Sequence, residues 1–86
     1  MSMEWEDVAS DDLADIWVVA TPEERVEIER AVLRTNRLLA ADPENEGESR
    51  GGNTRVLISP PLTVWYRVKP GPKAVVYGVR HVRPRP

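Results

Sequence analysis

The spacing of apolar residues changes once along this chain, and the change limits the folds open to it. Between Leu13 and Leu39 the apolar residues recur at intervals of three and four, which is typical of amphipathic helices. From Thr54 onwards they alternate with polar residues, which is typical of half-buried strands. A polar loop with three glycines, residues 43–53, separates the two patterns. The order predicts an α+β domain in which an N-terminal helical hairpin packs on an antiparallel sheet of three to four strands.

Local signals place the two helices. Ser10 precedes two aspartates, a favourable N-cap with carboxylates in the first turn, so a first helix is expected over residues 11–20. Thr21 and Glu24 form a capping-box pattern around a proline at the first helical position, which predicts the start of a second helix. The second helix is expected to end at Asp42, because a residue that precedes proline avoids the α region.

Three strands are expected to follow as an antiparallel meander, over residues 54–59, 62–69 and 75–80. Pro70 and Gly71 have the chemistry of a type II turn between the last two strands. The end of the chain, residues 83–86, alternates arginine and proline and cannot pair as a central strand. Residues 3–7 are compatible with a short additional strand that turns Trp5 inward.

The alternation also predicts which residues share a face. In the last strand one face is expected to carry Val75, Tyr77 and Val79. If the helices cover the face with Val64, Tyr66 and Val68, the opposite face carries Trp65, Arg67, Lys69 and Arg80. An aromatic ring among cationic groups is suited to stacking on bases and contacting phosphates. The same residues also fit the edge of a core beside an ordinary solvated face.

The two halves of the chain carry opposite charge. All 14 acidic residues lie between Glu4 and Glu48 together with four arginines, so this stretch has a formal charge of −10. Residues 49–86 contain eight basic residues and no acidic one, a formal charge of +8. Such a split favours an anionic partner for the basic half. It is also compatible with two halves that neutralise each other within one fold.

Composition excludes several kinds of site. Eighty-six residues provide one core, so residues 1–86 are expected to form a single domain. The absence of cysteine excludes disulfides and thiolate metal sites, and a lone histidine, His81, excludes multi-histidine sites. We therefore expect no metal and no cofactor.

No apolar run approaches the roughly 20 residues that cross a membrane, and the first residues lack the layout of a signal peptide. A cytoplasmic protein is therefore expected.

Two further features allow both a functional and a structural interpretation. Val26 and Leu33 lie opposite the buried stripe of the second helix, where they could dock another chain, contact the first helix or simply be exposed. His81 at the end of the last strand could act as a general acid or base, or serve only the fold.

Five segments, in this order and spacing, resemble the RelE/ParE superfamily of bacterial toxins from type II toxin–antitoxin systems, also described as plasmid stabilisation proteins. They are DLADIW at 12–17, LLAADP at 38–43, GNTRVL at 52–57, VWYRV at 64–68 and VVYGVRHVR at 75–83. The resemblance covers nearly the whole chain. It implies a helical hairpin on a twisted antiparallel sheet.

The resemblance also implies roles for particular residues. Chemistry or target contact in such a toxin falls to Arg67, Arg80, His81 and Arg83. Binding of nucleic acid or another target falls to Arg50, Arg55, Trp65, Lys69 and Lys73. Members of the superfamily are neutralised by an antitoxin whose C-terminal segment wraps the toxin, and Val26 and Leu33 are the expected contacts here.

The superfamily divides into ribosome-dependent mRNA endonucleases and poisons of DNA gyrase. The nucleases usually carry an arginine at the start of the third strand, where this chain has Thr63. The sequence of residues 79–83 is more similar to the gyrase poisons, which keep a histidine followed by basic residues in this segment. The expected function is a toxin component that acts on translation or on DNA gyrase; the alternative is a non-enzymatic binding module that has lost nuclease activity. A homodimer, formed through an edge strand or through Val26 and Leu33, is a further possibility.

Overall fold

Two helices lie against one face of a five-stranded sheet in the computed structural model, which describes residues 3–83. The elements are β1 (Met3–Trp5), α1 (Asp7–Val19), α2 (Pro22–Ala41), β2 (Glu48–Ser49), β3 (Thr54–Ser59), β4 (Leu62–Lys69) and β5 (Lys73–His81). The strand order is β1-β5-β4-β3-β2. The α+β class, the helical hairpin and the antiparallel meander are confirmed. The arginine–proline end of the chain, at 84–86, lies outside the described residues.

The sheet is larger and less uniform than the three to four antiparallel strands that we expected. It has five strands, and β1 runs parallel to β5. The parallel pairing is possible because the helical hairpin and three further strands separate β1 from β5 along the chain, and parallel neighbours need a long connection. Trp5 does face inward, where it packs on the core and donates a hydrogen bond of 2.8 Å to Asn36. The two residues of β2 are too few to show alternation, so the sequence could not reveal this strand.

α1 begins at Asp7, four residues before the predicted start at Asp11. Glu6 is its N-cap residue and makes no capping hydrogen bond through its side chain, whereas Ser10 is an exposed residue inside the helix. The earlier start follows from strand pairing, because the Glu6 amide donates to the Val76 carbonyl and the chain enters the helix directly from β1. The prediction of Ser10 as a cap was therefore wrong.

α2 begins where the capping box predicted. Thr21 Oγ1 accepts a hydrogen bond of 3.1 Å from the Glu24 amide, and Glu24 Oε1 accepts one of 2.9 Å from the Thr21 amide. A cap of this kind contributes about 1 kcal/mol. The helix ends at Ala41, in front of the Asp42–Pro43 pair. Its inner side is fully buried against the sheet through Ile28, Ala31, Thr35 and Leu39.

A β-bulge changes which residues of β5 face the helices. Trp65 pairs with Gly78, but Tyr66 pairs with Val76, so Tyr77 is an extra residue in the ladder. The prediction of one shared face was therefore wrong for Val75, Tyr77 and Val79. Val79 belongs to the core under the helices, whereas Val75 pairs with an outward-facing residue of β4.

Candidate functional site

The sheet distributes the predicted site residues over two faces. We call the face covered by α1 and α2 the inner face and the opposite one the outer face. Strand register places four of the residues on the outer face: Trp65, Arg67, Lys69 and Arg80. His81 pairs with Leu62, a core residue, and so faces the helices. Of the four residues to which chemistry was assigned, Arg80, His81 and Arg83 line one cleft, described below, and Arg67 lies outside it.

Arg67 is held by contacts within the fold. Its guanidinium carbon lies 4.0 Å from the centroid of the Tyr77 ring, and its Nη1 lies 3.2 Å from Glu6 Oε1. A cation–π contact and an ion pair at partly exposed positions are each worth up to about 1 kcal/mol. Their larger consequence is that the charge of Arg67 already has a carboxylate partner.

Other ion pairs also join or neutralise the two halves of the chain. Lys73 Nζ lies 2.6 Å from Glu4 Oε1, and this hydrogen bond and charge lower the pKa of Glu4. Arg50 Nη1 lies 3.1 Å from Glu48 Oε2 on the exposed β2 edge. The interpretation that acidic and basic halves neutralise each other thus holds for part of the predicted basic surface.

Arg55 serves the loop between α2 and β3. Its Nε and Nη2 donate hydrogen bonds of 3.0 Å to the carbonyls of Glu46 and Gly47. The buried hydroxyl of Tyr66 donates to the carbonyls of Pro43 and Glu46, and burial raises the pKa of this phenol. Gly47 has φ +69°, and a Cβ there would collide with the carbonyl of β3 beside it. The two hydrogen bonds of the Arg55 guanidinium therefore stabilise the loop between α2 and β3.

Trp65 is half-buried and packs beside Gly78 on the outer face. A Cβ placed on Gly78, its partner on β5, would be 3.8 Å from the Trp65 side chain. On the other side Trp65 pairs with Val56, which is buried on this outer face. The indole therefore covers neighbouring strands and leaves part of its surface to solvent.

A cleft of about 360 Å³ lies between α1 and the end of β5 and contains both cations and carboxylates. Its lining includes Asp12, Asp15, Ile16, Arg80, His81 and Arg83. Arg83 Nε lies 3.0 Å from Glu24 Oε2, and Nη2 of Arg83 lies 3.4 Å from the Val19 carbonyl at the end of α1. The amide hydrogen bond from Thr21 lowers the pKa of Glu24, and the charges of Arg83 and His81 contribute. The cleft is a mixed-charge junction that ties β5 to the helical hairpin.

Lys69, predicted for target binding, and Arg80, predicted for chemistry, differ from the cations described above. Both are exposed, and neither forms an ion pair within residues 3–83. They lie at opposite ends of the outer face.

Within residues 3–83 no three His, Asp or Glu side chains are grouped to hold a metal ion. In the same residues no helix is long and apolar enough to span a membrane.

The helical hairpin carries an apolar groove of about 630 Å³, which we call the hairpin groove. Its apolar lining consists of Trp5, Leu13, Ala14, Trp17, Val18 and Val32. Trp17 is 38% exposed and Val18 is 71% exposed. Sequence reasoning missed this groove, because helical spacing alone does not separate residues that face a core from residues that face the crease between two helices. Two tryptophans within the first 17 residues were the available signal.

Val26 and Leu33 lie on the side of α2 that faces away from the sheet. Their side chains are 49% and 62% exposed, and neither lines the hairpin groove. They are exposed apolar side chains of the hairpin that lie outside the groove.

The solved structures of similar fold include the chromosomal ParDE toxin–antitoxin system from P. aeruginosa. The superposition has a TM-score of 0.71, with 23% sequence identity over 96% of this chain and 97% of that one. No protein-family model matches the sequence, and no curated protein matches it. The likeness confirms the fold that the RelE/ParE resemblance implied.

Proposed function

We propose that this chain is the toxin-like component of a bacterial type II toxin–antitoxin system and is neutralised by a cognate antitoxin protein. The observation that carries the proposal is the fold shared with the ParDE structure across 96% of the chain. The hairpin supports it, because two exposed apolar surfaces on one small domain are suited to a partner chain. Val26 and Leu33 are part of the expected antitoxin contact, and the protein would act in the cytoplasm.

Within this proposal we favour DNA gyrase over mRNA cleavage as the target. Cleavage needs cations that meet the scissile phosphate, and Thr63 stands where the nucleases usually carry arginine. The nearby Arg67 is paired with Glu6 and stacked on Tyr77. Lys69 and Arg80, which form no ion pair within residues 3–83, lie too far apart to contact one phosphate.

Inducible expression, with and without the neighbouring gene, tests the proposal. We expect growth inhibition that the neighbouring gene's product relieves, and a stable complex of the two proteins. Induction of the DNA-damage response in the same cells would indicate DNA gyrase as the target. Inhibition of supercoiling when the purified protein is added to purified gyrase would identify it directly. Ribosome-dependent mRNA cuts that disappear in Arg80→Ala or His81→Ala would instead indicate cleavage. Absence of both a growth effect and a complex would overturn the proposal.

A second candidate is a toxin-like binding module without activity of its own. It is favoured by the ion pairs that hold Arg67, Lys73 and Arg83, since they remove cations from a potential target surface. This candidate predicts the same antitoxin complex without growth inhibition. It fails if the purified protein binds neither RNA, DNA nor the neighbouring gene's product at low salt.

A further inference from the structure

Three arginines of α2 form a cationic row in the half of the chain that carries the acidic residues. Between residue 30 and the end of the helix at Ala41, α2 contains these arginines and no acidic residue. We call Arg30, Arg34 and Arg37 the arginine row. Intervals of four and three residues place them on one side of the helix. Within residues 3–83 none of them forms an ion pair, unlike four of the cations in the basic half.

A buried serine fixes the middle arginine of the row. Ser59 is buried beneath α2, where its hydroxyl donates to the Ala31 carbonyl at 3.2 Å and accepts from Arg34 Nε at 3.0 Å. Nη2 of Arg34 donates to the Pro60 carbonyl at 2.7 Å. These contacts orient the guanidinium and leave its Nη1 without a hydrogen bond inside the described part of the chain. Arg34 therefore offers a positioned donor to an incoming acceptor.

A cleft of about 440 Å³ opens beside the fixed guanidinium. Its cationic and apolar lining consists of Arg30, Arg34, Pro60, Pro61 and Val82. The Val82 amide donates to the Pro61 carbonyl at 2.8 Å, which holds the apolar wall together, and the Val82 side chain is 53% exposed. Two guanidinium groups thus face a small apolar wall.

The charges around the cleft do not cancel. Glu27 also lines it, one turn before Arg30, and forms no ion pair within residues 3–83. One carboxylate beside two guanidinium groups leaves the cleft with a net positive charge. Like charges on neighbouring turns of a helix repel each other, so an anion bound between the arginines would relieve that repulsion. Leu33, which is 62% exposed, adds apolar surface between Arg30 and Arg37.

An acidic protein segment suits this surface better than a nucleic-acid strand. Carboxylates accept strong, often paired hydrogen bonds from guanidinium groups. A protein segment also brings apolar side chains that can cover Leu33 and Val82, whereas a phosphodiester strand would meet Leu33, Val82 and the Glu27 carboxylate with charged oxygens. Three arginines are also few for binding that relies on phosphate contacts.

A second copy of this chain also carries an acidic element. Its α1 contains four aspartates and no basic residue. A contact between α1 of one copy and α2 of another would be head-to-tail, so it would build rings or open chains and not a closed pair. A separate acidic partner needs no such assembly.

We propose that the arginine row and the cleft beside it bind an acidic segment of a partner protein. Its carboxylates meet the guanidinium groups, and its apolar side chains cover Leu33 and Val82. Under the proposed function, on which the identity of this partner rests, the segment belongs to the target of the toxin. The outer face offers that target fewer cations, because ion pairs within the fold hold Arg67 and Lys73. The cations that meet the target thus lie on α2.

Two labelled peptides that share their apolar residues, with glutamate in one and lysine in the other, test the charge preference. We expect the glutamate peptide to bind at least about tenfold more tightly at low salt. Arg30→Gln/Arg37→Gln should weaken that binding roughly tenfold. Lys69→Gln/Arg80→Gln removes the same charge from exposed positions of the outer face and should change it less than about twofold. Preference for the lysine peptide, or equal losses in the two double variants, would overturn the proposal.

Two further measurements test other occupants. A labelled single-stranded oligonucleotide should bind more weakly than the glutamate peptide; tighter binding that is lost in Arg30→Gln/Arg37→Gln would make the row a phosphate-binding surface and overturn the proposal. Light scattering should give the same mass for the wild type and this variant. Self-association that the variant abolishes would assign the row to a second copy instead.

Inducible expression separates this inference from the proposed function. Arg30→Gln/Arg37→Gln should raise the survival of induced cells at least about tenfold over the wild type at equal protein level, because the target contact is weakened. Circular dichroism melts confirm that the variant is folded. Full growth inhibition by the variant contradicts the assignment to the target and leaves the toxin proposal standing. If the wild-type chain inhibits no growth and binds no product of the neighbouring gene, the proposed function fails, and the peptide pair still decides whether the row binds acidic segments.

Discussion

The outer face of the sheet and the helical hairpin use their side chains in opposite ways. The outer face is rich in cations, but Arg67 and Lys73 are paired with Glu6 and Glu4 from the acidic half. The hairpin is rich in apolar residues, and Trp17 and Val18 remain exposed. The difference teaches that a run of charge in a sequence does not measure the charge that a surface offers to a partner.

The physical reason is that an unpaired cation and an exposed apolar side chain are stabilised in different ways. A cation beside an available carboxylate pairs with it at little cost, and each exposed pair contributes only about 0–1 kcal/mol. An apolar side chain on a two-helix hairpin has no such local solution once one side of each helix covers the sheet. The apolar crease therefore stays exposed in the isolated chain.

The largest predicted effect concerns Arg55, which we assign to the fold and not to a target. Arg55→Met should lower the free energy of unfolding by roughly 2 kcal/mol, because two loop carbonyls lose a charged donor. Urea denaturation measures this change. Lys69→Met, a matched substitution at an exposed lysine, should change stability by less than about 0.5 kcal/mol. Equal stability of the two variants would show that Arg55 is available for binding.

The next prediction concerns the junction between the hairpin and the end of β5. The pKa of Glu24 is lowered in the folded state, so its contribution to stability is complete above its ordinary value of 4.5 and is lost as the pH falls through the lowered pKa. Glu24→Gln keeps a side chain that can close the capping box but removes the charge that Arg83 contacts. The variant should therefore lose less stability than the wild type as the pH falls below 4.5. If the stability of Glu24→Gln and of the wild type depended on pH in the same way, Glu24 would not contribute to acid unfolding.

A smaller effect is expected at Arg67. Arg67→Ala removes a partly exposed ion pair and a stacking contact, so it should lower the free energy of unfolding by about 1 kcal/mol or less. Because the charge is already neutralised, affinity for RNA or DNA should stay within about twofold of wild type. A loss of stability together with a tenfold loss of nucleic-acid affinity would restore the outer face as a phosphate-binding surface.

The smallest effect is expected in the salt dependence of nucleic-acid binding. With Lys69 and Arg80 as the cations that lack ion pairs in the described part of the outer face, the slope of log affinity against log salt should be about −2 or shallower. A slope steeper than about −5 would require many phosphate contacts. Titration of labelled single-stranded RNA at several salt concentrations gives the slope directly.

The parts of the fold that followed from the sequence are those with repeated or paired signals. The capping box at Thr21 and Glu24 and the long alternation of β4 each rely on several residues, and both are confirmed. The start of α1 was wrong because pairing of β1 with β5 outweighed the local cap signal at Ser10. The bulge at Tyr77 leaves no mark in residue types, yet it changes the face of every residue beyond it.

The candidate site was predictable only as a set of residue types. The sequence identified the cations and the outer-face tryptophan, but ion pairing depends on contacts between residues as far apart as Glu6 and Arg67. The hairpin groove is lined by residues of β1, α1 and α2, and periodicity within one helix does not encode how these elements pack together. Both features arise from tertiary packing.

The three tryptophans of the chain give the most direct test of the central claim, that a partner binds the hairpin and not the outer face. Trp5 and Trp17 line the hairpin groove, and Trp65 lies on the outer face. Each indole N–H gives its own signal in a ¹H–¹⁵N spectrum, which can be followed while the unlabelled product of the neighbouring gene is added. We expect the signals of Trp5 and Trp17 to shift on binding while that of Trp65 stays in place. A shift of Trp65 with unchanged signals from the other two would contradict the account.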